Sequence, residues 1–394
     1  MFFDHKADSL PLLLSSVQVG NGAATATETQ TETATQLQRQ PLQPFVVGVD
    51  LGGTQTRAAL IRGDEIVVRT SRPTPAHDGP AAVIAGIVAA IHEALEMSEI
   101  ALQDIRGIGL GAPGPTNSRT GVVYDTPNMA GWKDVPLRDE LAKAFPSLPV
   151  YVGHDASVAA LAEFRYGAGR NVRDMIYMTV STGIGGGIIA GDVIVEGAIG
   201  TAGEIGHVII DLRPDAPRCG SGHIGCIEAL ASGTALARDA NALVASGHGQ
   251  GILIVHRELI AQEEHGERRT TEVDAIQGEQ LRARDVVEAA HRGDPEASEL
   301  LHTAAVDIGI TCVNLIHTLN PEMIVFGGGV AHAAGDLLFT PVRETLRARA
   351  FMRPAEAVQI VPTQLGNDVG LIGAAAFVEY QQHSESSQRG PTTA

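Results

Sequence analysis

Two carboxylates, two imidazoles and two thiols fall within 25 positions near the middle of the chain. They lie in residues 204–207 and 219–228, and five positions of the second segment are Gly or Cys. A solvated surface face does not need this density of glycine and cysteine, so the pattern indicates a functional site. The side chains suited to Zn²⁺ are His207, Cys219 and Cys226. Tetrahedral structural zinc needs four ligands and Ser221 is a poor substitute for a thiolate, so these residues alone leave zinc binding open.

Two glycine-rich turns have the composition of phosphate-binding loops. The first follows an apolar strand and contains Asp50, Gly52, Gly53 and Thr54. Glycines let backbone N–H groups approach an anion, the threonine adds a hydroxyl, and the aspartate can hold Mg²⁺ through water. Alone, this pattern is equally typical of an ordinary hairpin. A second strand–turn–strand pattern at 182–187, which includes Thr182, Gly183 and Gly185, favours phosphate binding and two similar halves.

A third glycine cluster, residues 327–329, follows the apolar run 323–326. It leaves room for a ribose or a flat ring at Gly328, or it makes a tight connection from a strand to a helix. The second turn is not a dinucleotide fingerprint, because position 188 is Ile where that motif needs Gly. A Walker-type loop is excluded, because none of the three lysines follows a glycine-rich turn.

One carboxylate stands where an apolar strand ends. Residues 150–153 are predicted as a strand and 156–164 as a helix, with His154 and Asp155 between them. Aspartate at this point is commonly a helix N-cap. It can also be a general base, since open α/β sheets bind ligands at the carboxyl ends of their strands. The two roles are compatible.

The elements that must position these residues follow an α/β pattern, in which short β-branched runs alternate with longer Ala- and Leu-rich runs. Residues 1–44 and 381–394 are polar and lack hydrophobic periodicity, which predicts solvated tails. Residues 246–280 mix charges and glycines, which predicts a surface insertion. The remaining helices and strands are predicted at 45–50, 56–61, 81–97, 155–166, 175–181, 188–190, 297–319, 323–326 and 369–380.

Composition limits the partners and the compartment. A formal charge of −18 works against nucleic-acid binding, which depends on clustered Lys and Arg. Three cysteines cannot make a disulfide scaffold for 394 residues, which indicates reduced thiols and a cytoplasmic location. Asp4 and Asp8 interrupt the basic start of a signal peptide. No apolar run is expected to reach the roughly 18 residues that cross a bilayer, so no membrane partner is predicted.

Taken together, these motifs resemble the ROK family (repressors, open reading frames, kinases) of sugar kinases, bacterial glucokinases in particular. The resemblance runs from about residue 46 to 377 and is carried by the segments 50–54, 111–115, 127–132 and 225–228, the second glycine-rich turn, and the pair Glu204 and His207. It implies the actin-like, hexokinase-type fold, a duplicated βββαβα unit whose two lobes enclose a cleft. The implied small lobe is 45–152 plus 367–384 and the large lobe 153–366, with disordered tails at 1–44 and 385–394.

The resemblance also implies a role for each site residue. Asp155 would remove a proton from a sugar hydroxyl, with ATP and Mg²⁺ as cofactors. Gly328 would face the adenosine. The sugar contacts would be Gly114, Asn128, His154, Asp155, Glu204, His207 and Glu228. The residues at the phosphates would be Asp50, Gly52, Gly53, Thr54, Thr182, Gly183 and Gly185.

The implied reaction is phosphorylation of a hexose, glucose to glucose 6-phosphate in the first place, by a homo-oligomer. The alternatives are an N-acetylhexosamine, mannose or fructose kinase, a sugar-responsive regulator, or a sugar-binding protein without catalysis. Two positions depart from the family pattern. His154 replaces the usual Asn before the base, and Ser221 replaces the middle of three zinc-binding cysteines. His223 lies close in sequence to that missing ligand.

Overall fold

Two five-stranded sheets organise the computed structural model, which describes residues 44–126, 129–265 and 280–388. The first eight strands are β1 (Phe45–Leu51), β2 (Gln55–Arg62), β3 (Glu65–Pro73), β4 (Ile105–Ala112), β5 (Thr116–Asn117), β6 (Val122–Asp125), β7 (Lys133–Val135) and β8 (Val150–His154). The later strands are β9 (Met175–Val180), β10 (Ile184–Ala190), β11 (Val193–Ile194), β12 (Met323–Gly327) and β13 (Gln359–Pro362).

The two large sheets share one topology. The first has the order β3-β2-β1-β4-β8 and the second has the order β11-β10-β9-β12-β13. In each, the central strand pairs antiparallel with the strand of its own hairpin and parallel with a later strand. Central strands such as β1 are apolar along most of their length, as expected for sheets covered on both faces. The predicted α/β fold with two similar halves is confirmed. A small sheet, β5-β6-β7, extends from the first half.

Helices cover these sheets and separate them. They are α1 (Pro80–Ser98), α2 (Leu137–Ala144), α3 (Asp155–Tyr166), α4 (Ile227–Ala231), α5 (Gly233–Ala245), α6 (Gln250–His265), α7 (Ala283–His291), α8 (Pro295–Leu319), α9 (Gly329–Ala334), α10 (Asp336–Arg349), α11 (Met352–Ala357) and α12 (Val369–Gln388). The predicted helices 81–97, 155–166 and 297–319 correspond to α1, α3 and α8.

Helices α3 and α12 join the two sheets. Helix α3 packs on β9 and β10 of the second sheet, while α12 packs on α3 and on β1 and β4 of the first. The backbone of α12 lies almost against the first sheet, because a Cβ at Gly48 or Gly109 would overlap a carbonyl oxygen of that helix. The two helices also touch closely, since a Cβ at Gly373 would overlap the carbonyl of Val158.

Three expectations about the elements are wrong. Helices α1 and α8 are long and apolar enough to cross a membrane, with mean hydropathies of 1.5 and 1.3 over 18 residues. No apolar run of this length was expected, because Ala, Gly and Thr divide the strongly apolar residues into shorter runs. These three residue types add no charge, so the mean hydropathy over 18 residues stays high. Both helices bury an apolar face in the hydrophobic cores that cover the sheets, which is the behaviour of core helices.

The other two corrections concern polar segments. The predicted surface insertion 246–280 contains helix α6, whose Ile252 and Val255 are buried in the larger core. Helix α12 continues to Gln388, although fraying was expected from residue 381, because Gln382 exchanges hydrogen bonds with Arg106. The predicted tails at 1–43 and 389–394, and the middle of the insertion at 266–279, lie outside the described residues.

One buried carboxylate fixes the segment that leads into α12. Glu163 of α3 is fully buried. Its oxygens accept hydrogen bonds from the amides of Ala168 at 2.8 Å, Gln364 at 3.0 Å and Leu365 at 2.9 Å, and a short one from the Thr363 hydroxyl. A buried charge is tolerated when its lone pairs are satisfied in this way. Glu163 therefore ties the loop between β13 and α12 to helix α3.

Replacing Glu163 should destabilise the fold more than replacing an exposed glutamate does. Glu163→Ala removes the acceptor of four part-buried donors. A lost hydrogen bond to a charged group costs about 1.5–3 kcal/mol, so we expect a loss of roughly 3 kcal/mol or more. Glu163→Gln keeps the volume and one acceptor oxygen and should lose less. Urea denaturation measures both, with the exposed Glu299→Ala as a control that should stay within about 0.5 kcal/mol. Equal midpoints for Glu163→Ala and Glu299→Ala would contradict this role.

Candidate active site

Asp155 lies where strand β8 ends and helix α3 begins. It is the first helical residue rather than the N-cap, which is His154. Its Oδ1 accepts a hydrogen bond from the Ala156 amide at 2.5 Å, and the helix N-terminus favours a negative charge at this position. The side chain is 42% exposed, so an external hydroxyl can reach the carboxylate.

Other carboxylates surround this aspartate. Although part of its side chain is exposed, desolvation in the site raises the pKa of Asp155 above its ordinary value, and the negative charges of Asp50 and Glu204 raise it further. His154 and the Ala156 amide act in the opposite direction but do not cancel the rise. A base is most effective when its pKa approaches the working pH, so this environment suits a group that must accept a proton.

His154 is the immediate partner of Asp155. Its Nε2 lies 3.2 Å from Oδ1 of Asp155, and its imidazole is buried. The buried Nδ1 has no hydrogen-bond partner among the residues that the structure describes. Buried polar atoms are normally satisfied, so this enclosed nitrogen is an exception within the site.

The first glycine-rich turn holds its shape through backbone bonds. The Gly52 amide donates to the Gln55 carbonyl at 2.9 Å, and the Thr74 amide donates to the Thr54 carbonyl at 2.9 Å. The Thr74 hydroxyl donates to the Gly52 carbonyl at 2.8 Å. The turn is therefore buttressed by the end of β3, with Gly53 and Thr54 exposed at its tip.

Asp50 is ion-paired with Arg57, which the sequence reasoning did not single out. The Nε atom of Arg57 donates to Oδ2 of Asp50 at 3.1 Å, and a second, shorter bond comes from Nη2. The signal was the hairpin itself, because its register places residue 57 directly opposite residue 50. Arg57 also donates to the Asn367 carbonyl at 2.8 Å. This links the first turn to the segment that Glu163 holds.

The second glycine-rich turn is shorter than predicted. Strand β10 begins at Ile184, so Gly185, Gly186 and Gly187 lie in the strand and pair with β9. Only residues 181–183 form the turn, closed by the Ser181 amide donating to the Gly183 carbonyl at 2.9 Å. The strand glycines serve close packing, because a Cβ at Gly185 would lie 3.2 Å from the Ala156 Cβ. The turn is thereby placed beside the start of α3 and Asp155.

Glu228 lies against the second turn and belongs to the same group of carboxylates as Asp155 and Glu204. Its Oε2 accepts a hydrogen bond from the Ile184 amide at 3.1 Å. A Cβ at Gly183 would lie 2.5 Å from the same oxygen, so a larger residue there would push this carboxylate aside. The loop that carries Glu204 packs on β10, where a Cβ at Gly206 would overlap the Ile184 carbonyl. The structure therefore gathers Asp155, Glu204 and Glu228 around one strand start.

A helix N-terminus that the sequence reasoning missed also meets this turn. Helix α5 begins with the Gly233 amide bonded to the Ser181 carbonyl at 2.7 Å, and the Thr234 hydroxyl bonded to the Thr182 carbonyl at 2.9 Å. Ser232 caps the helix by accepting from the Ala235 amide at 3.2 Å, and Ser-Gly-Thr before an apolar run was the available signal. Gly328 approaches the same place, since a Cβ there would overlap the Val180 carbonyl.

Among the described residues, no hydrogen bond joins the predicted sugar contact Gly114 to this cluster. Gly114 has a positive φ of 79° and packs on the Asp125 carbonyl, at the start of the small sheet. Asn128 lies outside the described residues. Its neighbours Met129 and Trp132 are buried in the core of the first half, so they serve packing.

The predicted zinc ligands are brought together. Donor atoms of His207, Cys219 and Cys226 all lie within 4.8 Å of one another, and Nδ1 of His207 is 3.9 Å from Sγ of Cys219. Burial raises the pKa of the Cys226 thiol to about 11, so a thiolate there needs a cation beside it. One imidazole and two sulfur atoms at this spacing fit Zn²⁺.

Comparison with known proteins is consistent with this arrangement. The ROK family description matches residues 46–381. The glucokinase of Halalkalibacterium halodurans is 38% identical over 341 residues, covering 86% of this chain and 96% of the relative. A crystal structure of a ROK family glucokinase from Streptomyces griseus, in complex with glucose and AMPPNP, is 31% identical with a TM-score of 0.69. It matches 85% of this chain and 99% of that one.

Relatives with other names also match. The N-acetylmannosamine kinase of Shigella flexneri is 29% identical and matches 85% of this chain and 98% of the relative. A putative xylose repressor of a Caldicellulosiruptor species is 29% identical, covering 85% of this chain and 78% of the repressor.

The raised pKa of Asp155 predicts a stability effect. Because its folded-state pKa lies above the ordinary 3.8, ionised Asp155 destabilises the fold once the pH exceeds the folded value. This loss in the free energy of unfolding becomes smaller as the pH falls through the folded-state pKa toward 3.8. Asp155→Asn cannot ionise, so it should unfold at higher urea concentration than the parent at pH 8, with a smaller difference at pH 5.

The control for this prediction is Asp104→Asn, which changes an exposed carboxylate and should leave the midpoint nearly unchanged at both pH values. An Asp155→Asn variant that is less stable than the parent at pH 8 would show that the ionised carboxylate stabilises the fold instead.

Proposed function

This chain belongs to the ROK family, and we propose that it transfers the γ-phosphoryl group of ATP to a hexose, converting glucose to glucose 6-phosphate. The glucokinase relatives support an ATP-dependent sugar kinase, and the glucose complex of the Streptomyces griseus relative supports the choice of sugar. The observation that carries the proposal is the placement of Asp155 beside the second glycine-rich turn, with Glu204 and Glu228 around it.

In this proposal Asp155 is the general base. Phosphoryl transfer needs a nucleophile in line with the γ-phosphorus and stabilisation of charge on the phosphoryl oxygens. The Asp155 carboxylate takes the proton of the sugar hydroxyl as that oxygen bonds to phosphorus and ADP leaves. Its raised pKa helps it to hold the proton, and the helix N-terminus fixes its position.

The two turns hold the nucleotide. Gly52, Gly53 and Thr54 present amides and a hydroxyl on one side. Thr182 and Gly183 belong to the second turn on the other side, and Gly185 lies in strand β10 behind that turn. Gly328, with a positive φ of 91°, leaves the space for the adenosine. Mg²⁺ neutralises charge on the phosphates when it is bound, and Asp50 is the carboxylate available to its water shell. The Arg57 guanidinium holds that carboxylate in place through two hydrogen bonds.

The sugar hydroxyls bind the acidic cluster. Glu204 and Glu228 accept hydrogen bonds from them, and His154, whose Nε2 lies beside Asp155, takes the place of the amide that the family usually presents. His207 is the last of these sugar contacts, and it comes from the segment with the predicted zinc ligands, residues 207–226, which we call the zinc loop. Gly114 and Asn128 are assigned to the same site on the family resemblance alone.

Zinc bound by His207, Cys219 and Cys226 would fix the orientation of the loop that presents His207 to the sugar. The zinc site stands beside Glu228, because Cys226 is the N-cap residue of α4, the helix that carries this glutamate. Loss of the metal should therefore weaken sugar binding more than ATP binding.

The lobe boundaries of the proposal follow the two sheets. The small lobe comprises 45–152 and 367–384 and the large lobe 153–366, which close on each other when sugar binds. We propose a cytoplasmic protein that does not bind nucleic acid, supported by the acidic charge and the reduced thiols. A homo-oligomer is proposed on the family resemblance alone. A sugar-responsive repressor is the second candidate, supported by the xylose repressor relative. The base and the phosphate-binding turns retained here favour the kinase.

A coupled assay for ADP release tests the function. We expect glucose to give the highest kcat/KM of a panel that contains glucose, mannose, fructose, N-acetylglucosamine and N-acetylmannosamine with Mg²⁺ and ATP. A higher value for N-acetylmannosamine would reassign the substrate. No turnover with any of these sugars would contradict the kinase.

Asp155→Asn is the matched variant for this assay. It should bind glucose as the parent does, measured by calorimetry, and lose about 10²- to 10⁴-fold in kcat. Activity within about threefold of the parent would exclude Asp155 as the base.

A further inference from the structure

A tight turn in the zinc loop folds His223 back over Cys219. The Gly222 amide donates to the Cys219 carbonyl at 2.9 Å, and the Cys219 amide donates to the His223 carbonyl at 3.0 Å. Gly222 has a φ of 84°, which favours glycine at this point of the turn. The neighbours Arg218 and Ile224 form a bridge that closes the base of the turn. The backbone therefore fixes His223 beside the thiol of Cys219.

Two imidazole nitrogens approach the same sulfur atom. Nδ1 of His223 lies 3.6 Å from Sγ of Cys219, and Nδ1 of His207 lies 3.9 Å from it. In a tetrahedral zinc site, bonds of about 2.3 Å to sulfur and 2.0–2.1 Å to nitrogen place these ligand atoms about 3.6 Å apart. Both contacts are close to that edge length. The two imidazole rings are themselves 4.6 Å apart between centroids.

We propose that His223 is the fourth protein ligand of the zinc site, in place of the thiol that Ser221 lacks. This inference rests on the zinc site of the proposed function. The resulting set is His207, Cys219, His223 and Cys226, a Cys₂His₂ combination that is common in closed tetrahedral sites. Donor atoms of His207, Cys219 and Cys226 lie within 4.8 Å of one another, and the exposed His223 contacts this group at Cys219 and at the His207 ring. The His223 side chain must therefore turn inward to complete the set.

The change of ligand also changes the charge of the site. Two thiolates balance Zn²⁺, whereas three thiolates leave a net charge of −1. The site adjoins Glu228 and Glu204, and the chain carries a charge of −18. A neutral zinc centre therefore adds no further repulsion next to these carboxylates.

Cobalt substitution tests the ligand directly, because tetrahedral Co²⁺ absorbs visible light more strongly than five- or six-coordinate Co²⁺. The full-length protein, purified without chelator, should contain about one zinc per chain, and its Co²⁺ form should show the strong tetrahedral bands. His223→Ala should lose these bands and bind zinc at least 10- to 100-fold more weakly. His302→Ala, which removes an exposed histidine from helix α8, should behave as the parent.

A second variant separates loss of a ligand from damage to the loop. Ser221→Cys combined with His223→Ala supplies a third thiolate and should restore tetrahedral Co²⁺ and tight zinc binding. His223 is exposed, so the metal-free His223→Ala variant should unfold at the same urea concentration as the metal-free parent.

The outcomes distinguish this inference from the zinc site on which it rests. A parent protein that binds neither zinc nor Co²⁺ would overturn both. A parent that binds metal, with a His223→Ala variant of unchanged spectrum and affinity, would overturn only the role of His223 and leave a three-residue site.

Discussion

The close packing around the first turn of helix α3 is the constraint on which the site depends. Residues 156–158 of this turn meet glycines from three different elements. A Cβ at Gly111 of β4 would lie 2.9 Å from Val158, and one at Gly187 of β10 would lie 2.6 Å from the Ala156 carbonyl. A Cβ at Gly373 of α12 would overlap the Val158 carbonyl. Only glycine fits at these approaches, so both sheets fix the position of Asp155.

Two carboxylates of α3 illustrate how environment assigns their roles. Glu163, in the last turn of the helix, accepts hydrogen bonds from four donors and stabilises the fold. Asp155, at the first residue of the helix, accepts one backbone hydrogen bond and faces the charges of Asp50 and Glu204. Burial, together with these like charges, raises the pKa of Asp155. Glu163 is therefore bound into the fold, and Asp155 is left to accept a proton.

Much of this arrangement could be predicted from local sequence, since apolar periodicity located the hairpins and helix α3, and glycine content located the turns. Contacts between distant residues could not be predicted. Nothing near Glu163 indicates that residues 363–365 supply its donors, and nothing near Gly185 indicates that it packs on Ala156 rather than forming a turn. Helix α6 was missed because its charges outnumber the few buried positions, Ile252 and Val255, that attach it to the core. The tail of α12 was missed because Arg106, its partner, lies far away in sequence.

The pH dependence of kcat/KM for glucose tests the central claim, that Asp155 is the base and that its neighbours set its pKa. Because an ionised base is required, activity should fall at low pH with an inflection above the ordinary 3.8 of aspartate. His154 lowers the pKa of Asp155, so His154→Asn should move this inflection to higher pH. An inflection at the same pH in the parent and in His154→Asn would contradict the account.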